Sequence, residues 1–269
     1  MTRDAEISAD LLDPARAAAL HATLSRSGPP PQAGDPLPPF WHQIYFWSAR
    51  PPEELGKDGH IRNGTGLIPD LGLPQRMWAG GRLEFHRPLI AGTPATKVST
   101  LESVTEKQGR SGPLGFVTLR HEFRQNDRTC VVEEQDLVYK PYPTAANEPR
   151  VQTARTDETA LAKQVFSTTL LFRYSALTFN GHRIHYDLDH ARETEGYPGL
   201  VVHGPLLAQL LMHLAEDQLG ALRRFTFRAI APLMHFETAE LCWNAGQLWV
   251  RAPDGRLCME ASARQVPLA

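Results

Sequence analysis

The sequence has little of what several protein classes require. The three cysteines, Cys130, Cys242 and Cys258, are widely spaced, form no CxxC pair and match no zinc-ligand pattern, so we expect free thiols in a reducing compartment. No apolar run approaches the roughly 20 residues that a membrane span needs. The acidic N-terminus lacks the basic start and apolar core of a signal peptide. These absences predict a cytoplasmic protein without a membrane partner.

Charge of one sign is also not in excess. The 28 Lys and Arg residues and 30 Asp and Glu residues give a net charge of −2, which does not favour a nucleic-acid partner. Neither a P-loop nor a glycine fingerprint for nicotinamide cofactors is present, so we expect no cofactor. At 269 residues, 42% of them hydrophobic, the chain is long enough for one large domain or two of about 130 residues.

Alternating hydrophobicity indicates two halves that end in similar antiparallel meanders. Strands are predicted at residues 82–86, 97–106, 115–124 and 129–139, and again at 224–230, 235–243, 247–251 and 257–264. Pro88-Leu89 and Pro232-Leu233 follow the first strand of each meander, which favours an internal duplication. The predicted division is an N-terminal helix and proline-rich connector at 1–34, a first half at 35–145, a linker at 146–162 and a second half at 163–269.

Helices are predicted at two places. Asp13-Pro14 is typical of an N-cap followed by proline at the first helical position, and indicates a helix over 15–24. The apolar run from Pro205 to Leu219 predicts a second helix, with Gly220 at its C-cap.

Other segments are predicted to be extended or irregular. Val165–Tyr174 is predicted as a strand, and the Gly- and Pro-rich residues 51–81 as loops with a short helical turn. The aromatic run Phe40–Trp47 is interpreted as packing between the halves, with a ligand-lining role as the alternative.

Polar and titratable residues concentrate between residues 172 and 209. His185 follows Ile184, a natural inward anchor, and a neutral imidazole can take a proton from water near pH 7. Asn180 could orient that water or a substrate carbonyl through its amide. The alternative for His185 is a hydrogen-bonded structural histidine.

Gly204 follows His203 at the predicted start of the second helix. A glycine there leaves backbone N–H groups unhindered, with the positive end of the helix dipole behind them, which suits an oxyanion hole. An ordinary glycine helix entry is the alternative.

Further side chains near this stretch are candidates for substrate binding. Arg173 and Arg183 could hold a carboxylate, or could instead be solvated or paired with local acids. Tyr174 and Tyr197 could donate a hydrogen bond or simply pack.

Two other chemistries find weak support. Several metal-ligand types occur together, namely His182, His185, Asp187, Asp189, His190 and His203. However, His-x-x-His is not the i, i+4 spacing that places two ligands on one helical face, so we expect no metal. Ser175 lies in no G-x-S-x-G elbow, so a serine nucleophile lacks its local signature.

The segments LTFNGHRIHYD and VVHGPL resemble the hydratase motif of MaoC-like hot-dog proteins, the (R)-specific enoyl-CoA hydratases, S-G-D-x-N-P-[ILV]-H. The resemblance places the general-base histidine at His185 and the catalytic aspartate position at Asn180, and the usual Asn-Pro pair becomes His182-Arg183. The second acid–base carboxylate is therefore missing. Mitochondrial-type 3-hydroxyacyl-thioester dehydratases look alike here, with F-N-x-H-R-I-H-Y-D.

The segments PLPPFWHQIYF, RMWAGGRLEFHRPL and QDLVYKP look similar to mesaconyl-C4-CoA (3-methylfumaryl-CoA) hydratases, relatives of itaconyl-CoA hydratases. This resemblance implies an α+β double hot-dog fold, with two antiparallel sheets each wrapped around a central helix. It also implies one working site in the second half and a degenerate first half that helps to bind substrate. Residues assigned to substrate binding are Arg173, Tyr174, Arg183, Tyr197 and His203, and those assigned to catalysis are His185, Asn180 and Gly204.

The function implied by the resemblance is that of a hydro-lyase adding water to a short enoyl-CoA thioester. Mesaconyl-C4-CoA or itaconyl-CoA would give citramalyl-CoA. The alternatives are a 3-hydroxyacyl-thioester dehydratase of fatty-acid type, an acyl-CoA thioesterase using Asp187 or Glu195, and a non-catalytic acyl-CoA-binding protein. The expected partners are a CoA thioester and, as an assembly to consider, a second copy of the chain in a homodimer.

Overall fold

A computed structural model describes residues 5–109, 112–142 and 151–265. The strands are β1 Glu6–Leu11, β2 Gln75–Phe85, β3 Pro94–Gly109, β4 Gly112–Gln125, β5 Arg128–Lys140, β6 Ala160–Gln164, β7 Leu222–Ala229, β8 Ala239–Asn244, β9 Gln247–Arg251 and β10 Leu257–Gln265. The helices are α1 Pro14–Thr23, α2 Thr168–Leu177 and α3 Gly204–Leu219, with 3₁₀ turns at Trp41–Ile44, Pro52–Glu54 and Arg183–His185 and a π-helical turn at His190–Thr194.

All ten strands form one antiparallel sheet in the order β1-β3-β4-β5-β2-β7-β10-β9-β8-β6. The order is the same from either edge. Read inward, β1, β3, β4, β5 and β2 of the first half correspond to β6, β8, β9, β10 and β7 of the second. At the centre Arg82 of β2 lies opposite Thr226 of β7. The sheet therefore has a pseudo-twofold axis between the two halves, which supports the predicted duplication.

The backbone after the two central strands repeats this symmetry. The amides of His86 and Arg87 both donate to the carbonyl of Cys130, at 2.8 and 3.1 Å. In the other half the amides of Ile230 and Ala231 both donate to the carbonyl of Cys258, at 2.8 and 3.2 Å. The Pro-Leu step that follows each pair thus bends both strands in the same way.

The second half contains a helix where the sequence predicted a strand. The prediction of a strand at Val165–Tyr174 is wrong, because Ser167 caps α2 by accepting a hydrogen bond from the Leu170 amide at 3.1 Å. Leu171, Tyr174 and Ser175 are its buried residues, and they share one helical face. The β-branched and aromatic residues that suggested a strand are overridden by this cap and this spacing.

The N-terminal residues belong to the first half rather than to a separate extension. The helix predicted after Asp13 is confirmed as α1, but the residues before it form the edge strand β1, paired with β3. The unit β1-α1 is the counterpart of β6-α2, since each strand borders the sheet at one edge. The predicted boundary at residue 35 therefore falls inside the first half, and the end of the predicted linker 146–162 overlaps β6; residues 146–150 lie outside the described ranges.

Most of the predicted meander strands are confirmed, and several differ in length. The strand predicted at 82–86 is the end of the longer strand β2, which stops at Phe85; β3 and β4 extend beyond the predicted ranges at both ends, and β8 begins only at Ala239. His235 instead pairs with Leu200, whose carbonyl accepts the His235 amide at 2.9 Å. The turn predicted at Gly109–Pro113 includes residues 110 and 111, which lie outside the described ranges.

Within the ranges that the structure describes, a long central helix is present only in the second half. The prediction of a helix at 205–219 is confirmed by α3, which packs on β8, β9 and β10 and is followed by Gly220 with φ 75°. In the first half its place is taken by the 3₁₀ turn Trp41–Ile44 and by irregular chain up to β2. The expectation of a central helix in each half is thus wrong for the first, where repeated prolines and glycines prevent a long helix.

Aromatic side chains fill the space that a first central helix would occupy. Phe40 lies 6.1 Å from Trp78 and 6.2 Å from Phe227 between ring centroids. The indole nitrogen of Trp41 donates to Nε2 of His213 on α3 at 3.2 Å. The interpretation of Phe40–Trp47 as packing between the halves is confirmed.

All three cysteines are buried free thiols. Across the ranges that the structure describes, none of the helices has the length and apolar character needed to cross a bilayer.

Candidate active site

His185 lies at the end of a 3₁₀ turn in the loop that follows α2, here named the motif loop, Asn180–His185. The ring is buried, and its Nδ1 lies 2.8 Å from the carbonyl oxygen of Val201. Because a carbonyl can only accept, Nδ1 carries the hydrogen and Nε2 keeps a lone pair. Burial lowers the pKa of His185 to about 4, so the ring is neutral at pH 7 and can accept a proton.

His203, the N-cap residue of α3, stacks on this ring. The two ring centroids lie 3.7 Å apart with an interplanar angle of 19°, and Nε2 of His203 lies 2.8 Å from the hydroxyl of Ser175. Burial, followed by the charges of His185 and His182, holds the pKa of His203 well below its ordinary value. His203 therefore supports His185 as a neutral, fixed wall of the site.

Two further histidines extend the stack to form a row of four rings. His182 lies 5.4 Å from His185 between centroids, and His60 lies 4.3 Å from His182. Burial is the largest cause that lowers the pKa of His182 and of His60, the latter to about 4. The whole row is neutral at pH 7, since protonation of one ring also disfavours protonation of its neighbours.

Gly204 stands at the start of α3 beside this row. A Cβ at this position would meet only the carbonyl oxygen of Trp78, at 3.8 Å, so packing does not require a glycine here. The first amides of an α-helix have no partner within the helix, and at α3 Pro205 lacks an N–H. The amides of Gly204 and Leu206 are therefore the donors that a negatively charged oxygen would meet.

Asn180 shapes the motif loop and leaves one donor for other use. Its side-chain Oδ1 accepts the backbone N–H of His182 at 3.0 Å, and its backbone N–H donates to the carbonyl of Ser175 at 2.8 Å. The side-chain Nδ2 group is left to donate to water, but a side-chain amide cannot transfer a proton as a carboxyl group does.

The two predicted arginines lie in different surroundings. Arg183 donates from Nε and Nη2 to Asp187 at 3.0 and 2.7 Å, so a loop ion pair occupies its guanidinium. Arg173 lines a cleft of about 300 Å³ between α2 and the end of α1, which contains none of the four histidines. The structure does not bring Arg173 to the site, because it lies on the exposed side of α2 while Tyr174 faces inward.

The predicted tyrosines are separated in the same way. Tyr174 is fully buried, and its ring lies 5.1 Å from that of His203. Tyr197 is half-buried against the core, and burial raises its pKa to about 12. Tyr174 thus borders the histidine row, whereas the described contacts of Tyr197 do not reach it.

Sequence reasoning missed three residues of the first half that lie beside the motif loop. Asp58 and His60 belong to the irregular chain before β2, and Oδ2 of Asp58 lies 3.0 Å from Nδ1 of His60. Arg76, at the start of β2, adds its charge to burial in lowering the pKa of His60 and His182. Only a D-x-H pair and an isolated arginine mark these residues in the sequence, and neither is a specific signal.

Metal-ligand types also meet at this point. One ligand atom each from Asp58, His60 and His182 lies within 4.8 Å of the others. The expectation of no metal was argued from a set of residues that shares only His182 with this cluster, so the cluster is a further arrangement to be tested.

The sequence matches the family model described as hydroxyacyl-thioester dehydratase type 2 over residues 40–235. It is 43% identical over 259 residues to the mesaconyl-C(4)-CoA hydratase of Chloroflexus aurantiacus, covering 92% of this chain and 90% of that protein. It is 26% identical over 244 residues to the mitochondrial hydroxyacyl-thioester dehydratase type 2 of Schizosaccharomyces pombe, covering 80% of each.

Solved structures resemble the fold at low sequence identity. HtdX of Mycobacterium tuberculosis superposes with a TM-score of 0.67 at 17% identity, over 97% of this chain and all of that one. A second protein of the same organism, described as a double hot-dog fold, gives 0.62 at 14% identity, over 97% of this chain and 95% of its own. These findings confirm the double hot-dog fold and the MaoC-like resemblance, and the chain belongs to the hydroxyacyl-thioester dehydratase type 2 family of hydratases and dehydratases.

Proposed function

We propose that the protein is a cofactor-independent hydro-lyase that adds water to the double bond of a short enoyl-CoA thioester. The observation that carries this proposal is His185, whose Nδ1 is bonded to Val201 so that Nε2 is the basic nitrogen, next to the start of α3. General-base catalysis needs a neutral ring that is held in one orientation. Free helical amides beside it suit the charge that develops on a thioester oxygen during hydration.

The proposed reaction proceeds in two steps. Nε2 of His185 takes a proton from water as the water oxygen bonds to the β-carbon, and the π electrons move through the α-carbon onto the thioester oxygen. The amides of Gly204 and Leu206 stabilise this enolate. The electron pair then forms the α-C–H bond with the proton that His185 returns, which leaves the ring neutral again. The reverse sequence is dehydration, so a 3-hydroxyacyl-thioester dehydratase is the second candidate, supported by the family.

We propose mesaconyl-C4-CoA or itaconyl-CoA as substrate and citramalyl-CoA as product, with support from the 43% identity to a mesaconyl-C(4)-CoA hydratase. Both substrates carry a free carboxylate, which needs a cationic partner. Arg76 is our candidate, because its charge already acts on His60 and His182 while Arg183 is held by Asp187.

A thioesterase is the less favoured alternative. A thioesterase needs a carboxylate aimed at the thioester carbonyl, and Asp187 and Glu195 were the expected candidates. Asp187 is paired with Arg183, and buried Glu195 accepts a hydrogen bond from Gln75. Neither carboxylate is therefore available for the thioester without breaking these contacts.

A substrate panel tests the proposal. Purified protein is incubated in parallel with mesaconyl-C4-CoA, itaconyl-CoA and crotonyl-CoA, the conjugated enoyl-thioester absorbance is followed, and products are identified by mass spectrometry. We expect water addition to a dicarboxylic substrate. Reaction of crotonyl-CoA alone would point to general fatty-acyl hydration, and release of free CoA without water addition would indicate the thioesterase.

We further propose a cytoplasmic location, supported by the three free thiols. The homodimer remains a prediction that sedimentation of the purified protein would check.

A further inference from the structure

A loop from the first half is fastened to the motif loop of the second half. In this loop, Gly56–His60, the carbonyl of Asp58 accepts the amide of Arg183 at 2.9 Å, and the carbonyl of Lys57 accepts Nη1 of Arg183 at 3.1 Å. The backbones at Gly59 and Gly181 are so close that a Cβ on Gly59 would lie 2.0 Å from the carbonyl oxygen of Gly181. The loop therefore has a fixed position relative to His185.

This fixed loop presents one histidine in a defined tautomer. Oδ2 of Asp58 lies 3.0 Å from Nδ1 of His60, and Oδ1 accepts the His60 amide at 3.1 Å. Since the ionised carboxylate only accepts, Nδ1 of His60 carries the hydrogen and Nε2 keeps its lone pair. Burial works to raise the pKa of Asp58, but the hydrogen bond and charge of His60 hold that pKa below its ordinary value, so the carboxylate is ionised.

His60 and His185 therefore have the same arrangement on either side of His182. Each donates through Nδ1 to a fixed oxygen, of Asp58 or Val201, and each is left with a basic Nε2. Both flank His182, at 4.3 and 5.4 Å between ring centroids. The donor that complements two such acceptors is Nδ2 of Asn180, at the start of the same loop.

We propose that His60 is a second residue that binds the attacking water, and that Asp58 is the positioning residue that orients it. The proposal rests on the hydration reaction proposed above. One water hydrogen is directed to Nε2 of His185, which removes it, and the other to Nε2 of His60. One oxygen lone pair accepts from Nδ2 of Asn180, and the remaining lone pair attacks the β-carbon. His60 accepts a hydrogen bond without taking the proton, so the two-step proton balance given above is unchanged.

This arrangement replaces the carboxylate missing at Asn180. Asn180 can donate to water through Nδ2, whereas its Oδ1, which already accepts the His182 amide, is uncharged and a weaker acceptor than a carboxylate oxygen. A neutral imidazole aligned by a carboxylate supplies the missing acceptor from the other half of the molecule.

The test compares His60→Leu with His60→Gln and with the control His86→Leu, which removes a histidine of the same half whose ion-pair contact is with Glu84. With the substrate that the wild-type protein hydrates, we expect His60→Leu to lower kcat at least about tenfold with KM within about threefold. His60→Gln should recover part of kcat, since its Oε1 also accepts a hydrogen bond. His86→Leu should match the wild type, and Asp58→Asn should lie between His60→Leu and the wild type.

The pH profile adds a readout that a structural role would not change. His60 and His185 must both be neutral, so kcat/KM of the wild type should fall on the acid side with a slope above one, and with a slope of one in His60→Gln. The carboxylate and cation facing His60 are Asp58 and Arg76, and the profile is measured only where circular dichroism is unchanged.

Three outcomes would overturn the proposal. Full activity of His60→Leu in a protein whose wild type hydrates its substrate would remove this inference alone. A matched loss of kcat, substrate affinity and melting temperature, without recovery in His60→Gln, would make His60 structural. Stoichiometric metal in the purified protein, with loss of hydration on chelation, would make Asp58, His60 and His182 ligands, since a coordinated Nε2 cannot accept from water. Absence of hydration in the wild type would instead reject the proposed function itself.

Discussion

The two halves share a backbone plan but differ at every position that carries the proposed chemistry. After α1 and after α2 the chain turns through a residue with φ 51°, Ser25 or Phe179. The next amide, of Arg26 or Asn180, donates to the carbonyl five residues back, at 3.1 and 2.8 Å. Arg26 thus stands where Asn180 stands. Gly28 and Pro31 follow Arg26 at the spacings at which His182 and His185 follow Asn180, although the backbones have diverged by then, with φ 78° at Gly28 and −63° at His182.

The same comparison extends to the helix start. The amides of Leu37 and Val202 donate to the carbonyls of Leu89 and Leu233, at 2.7 and 2.8 Å. Pro38 and Pro39 therefore match His203 and Gly204. Proline has neither a titratable ring nor an N–H, so at this point the first half has no counterpart of the proposed oxyanion donor while it keeps the strand pairing.

The difference shows what a duplicated fold can do with a half that no longer carries its own site. The helix that α3 provides in the second half is absent from the described part of the first half, and the freed chain between residues 45 and 74 reaches the partner half. It delivers Asp58 and His60 to the motif loop. On the function proposed above, the first half thus contributes residues to the site of the second half.

The largest effect is expected from giving the start of α3 the proline that the first half has at the matching position. Gly204→Pro copies Pro39 and removes one N–H, while the extended backbone of His203, φ −58° and ψ 129°, is the conformation favoured before proline. Removal of one oxyanion donor costs about 10²- to 10³-fold in kcat. Steady-state hydration assays of Gly204→Pro and of the control Gly204→Ala, which keeps the N–H, measure this. Equal losses in both variants would exclude an oxyanion role for this amide.

A smaller effect is expected where the loops of the two halves meet. Gly59→Ala and Gly28→Ala both place a side chain at positive φ, 88° and 78°, but only the former would contact Gly181; at Gly28 nothing lies within 4 Å. We expect Gly59→Ala to be less stable than Gly28→Ala by about 1–3 kcal/mol, because the first variant must also move the loop. Urea unfolding measures the difference, and equal midpoints would mean that the loop is not fixed against its partner half.

Substitutions of Arg76 in the first half and Arg173 in the second should differ by about tenfold in their effect on substrate selectivity. Selectivity here is the ratio of kcat/KM for the dicarboxylic substrate to kcat/KM for crotonyl-CoA. Arg76→Gln should lower kcat/KM for the dicarboxylic substrate more than for crotonyl-CoA, because only the former presents a second carboxylate. Arg173→Gln should leave the ratio unchanged, since its side chain lies in the outer cleft. A change of ratio in Arg173→Gln instead would restore the substrate-binding role predicted from the sequence.

The smallest effect concerns stability and pH. Burial lowers the pKa of His182 in the folded protein, so between the unfolded pKa near 6.5 and the folded value the unfolded chain binds more protons. Stability should therefore fall as pH decreases from 7 to 5. Over this pH range the free energy of unfolding of His182→Gln should decrease by about 1–2 kcal/mol less than that of the wild type. Urea unfolding at both pH values checks the sign, and an equal or larger loss in the variant would contradict it.

Much of this architecture could be predicted from the sequence, and the failures have physical causes. Period-two alternation gave the long strands, and the apolar run with its terminal Gly220 gave α3. In α2, β-branched and aromatic residues favour strands intrinsically, and only the Ser167 cap and the burial of Leu171 and Tyr174 make the segment helical. Strand β1 is short and lies at a sheet edge, where its polar neighbours hide the pattern.

Part of the candidate site could likewise be predicted from the sequence, and part could not. Asn180 and His185 lie in one motif segment and Gly204 in a second one shortly after it, so family resemblance found them together. The contact between Arg183 and Lys57 joins residues 126 positions apart, and no local pattern predicts which loop reaches another across a sheet. Asp58, His60 and Arg76 could therefore be found only once the chain was folded.

The most direct test of the account is the hydration rate of His185→Ala beside that of His21→Ala. His21 is a histidine of the first half at the position that matches Ser175, and its ring nitrogen Nε2 lies 3.3 Å from the carbonyl oxygen of Ser27. We predict that His185→Ala lowers kcat at least about 10²-fold while remaining folded, and that His21→Ala stays near the wild type. Hydration by His185→Ala at close to the wild-type rate would contradict the assignment of the reaction to the second half.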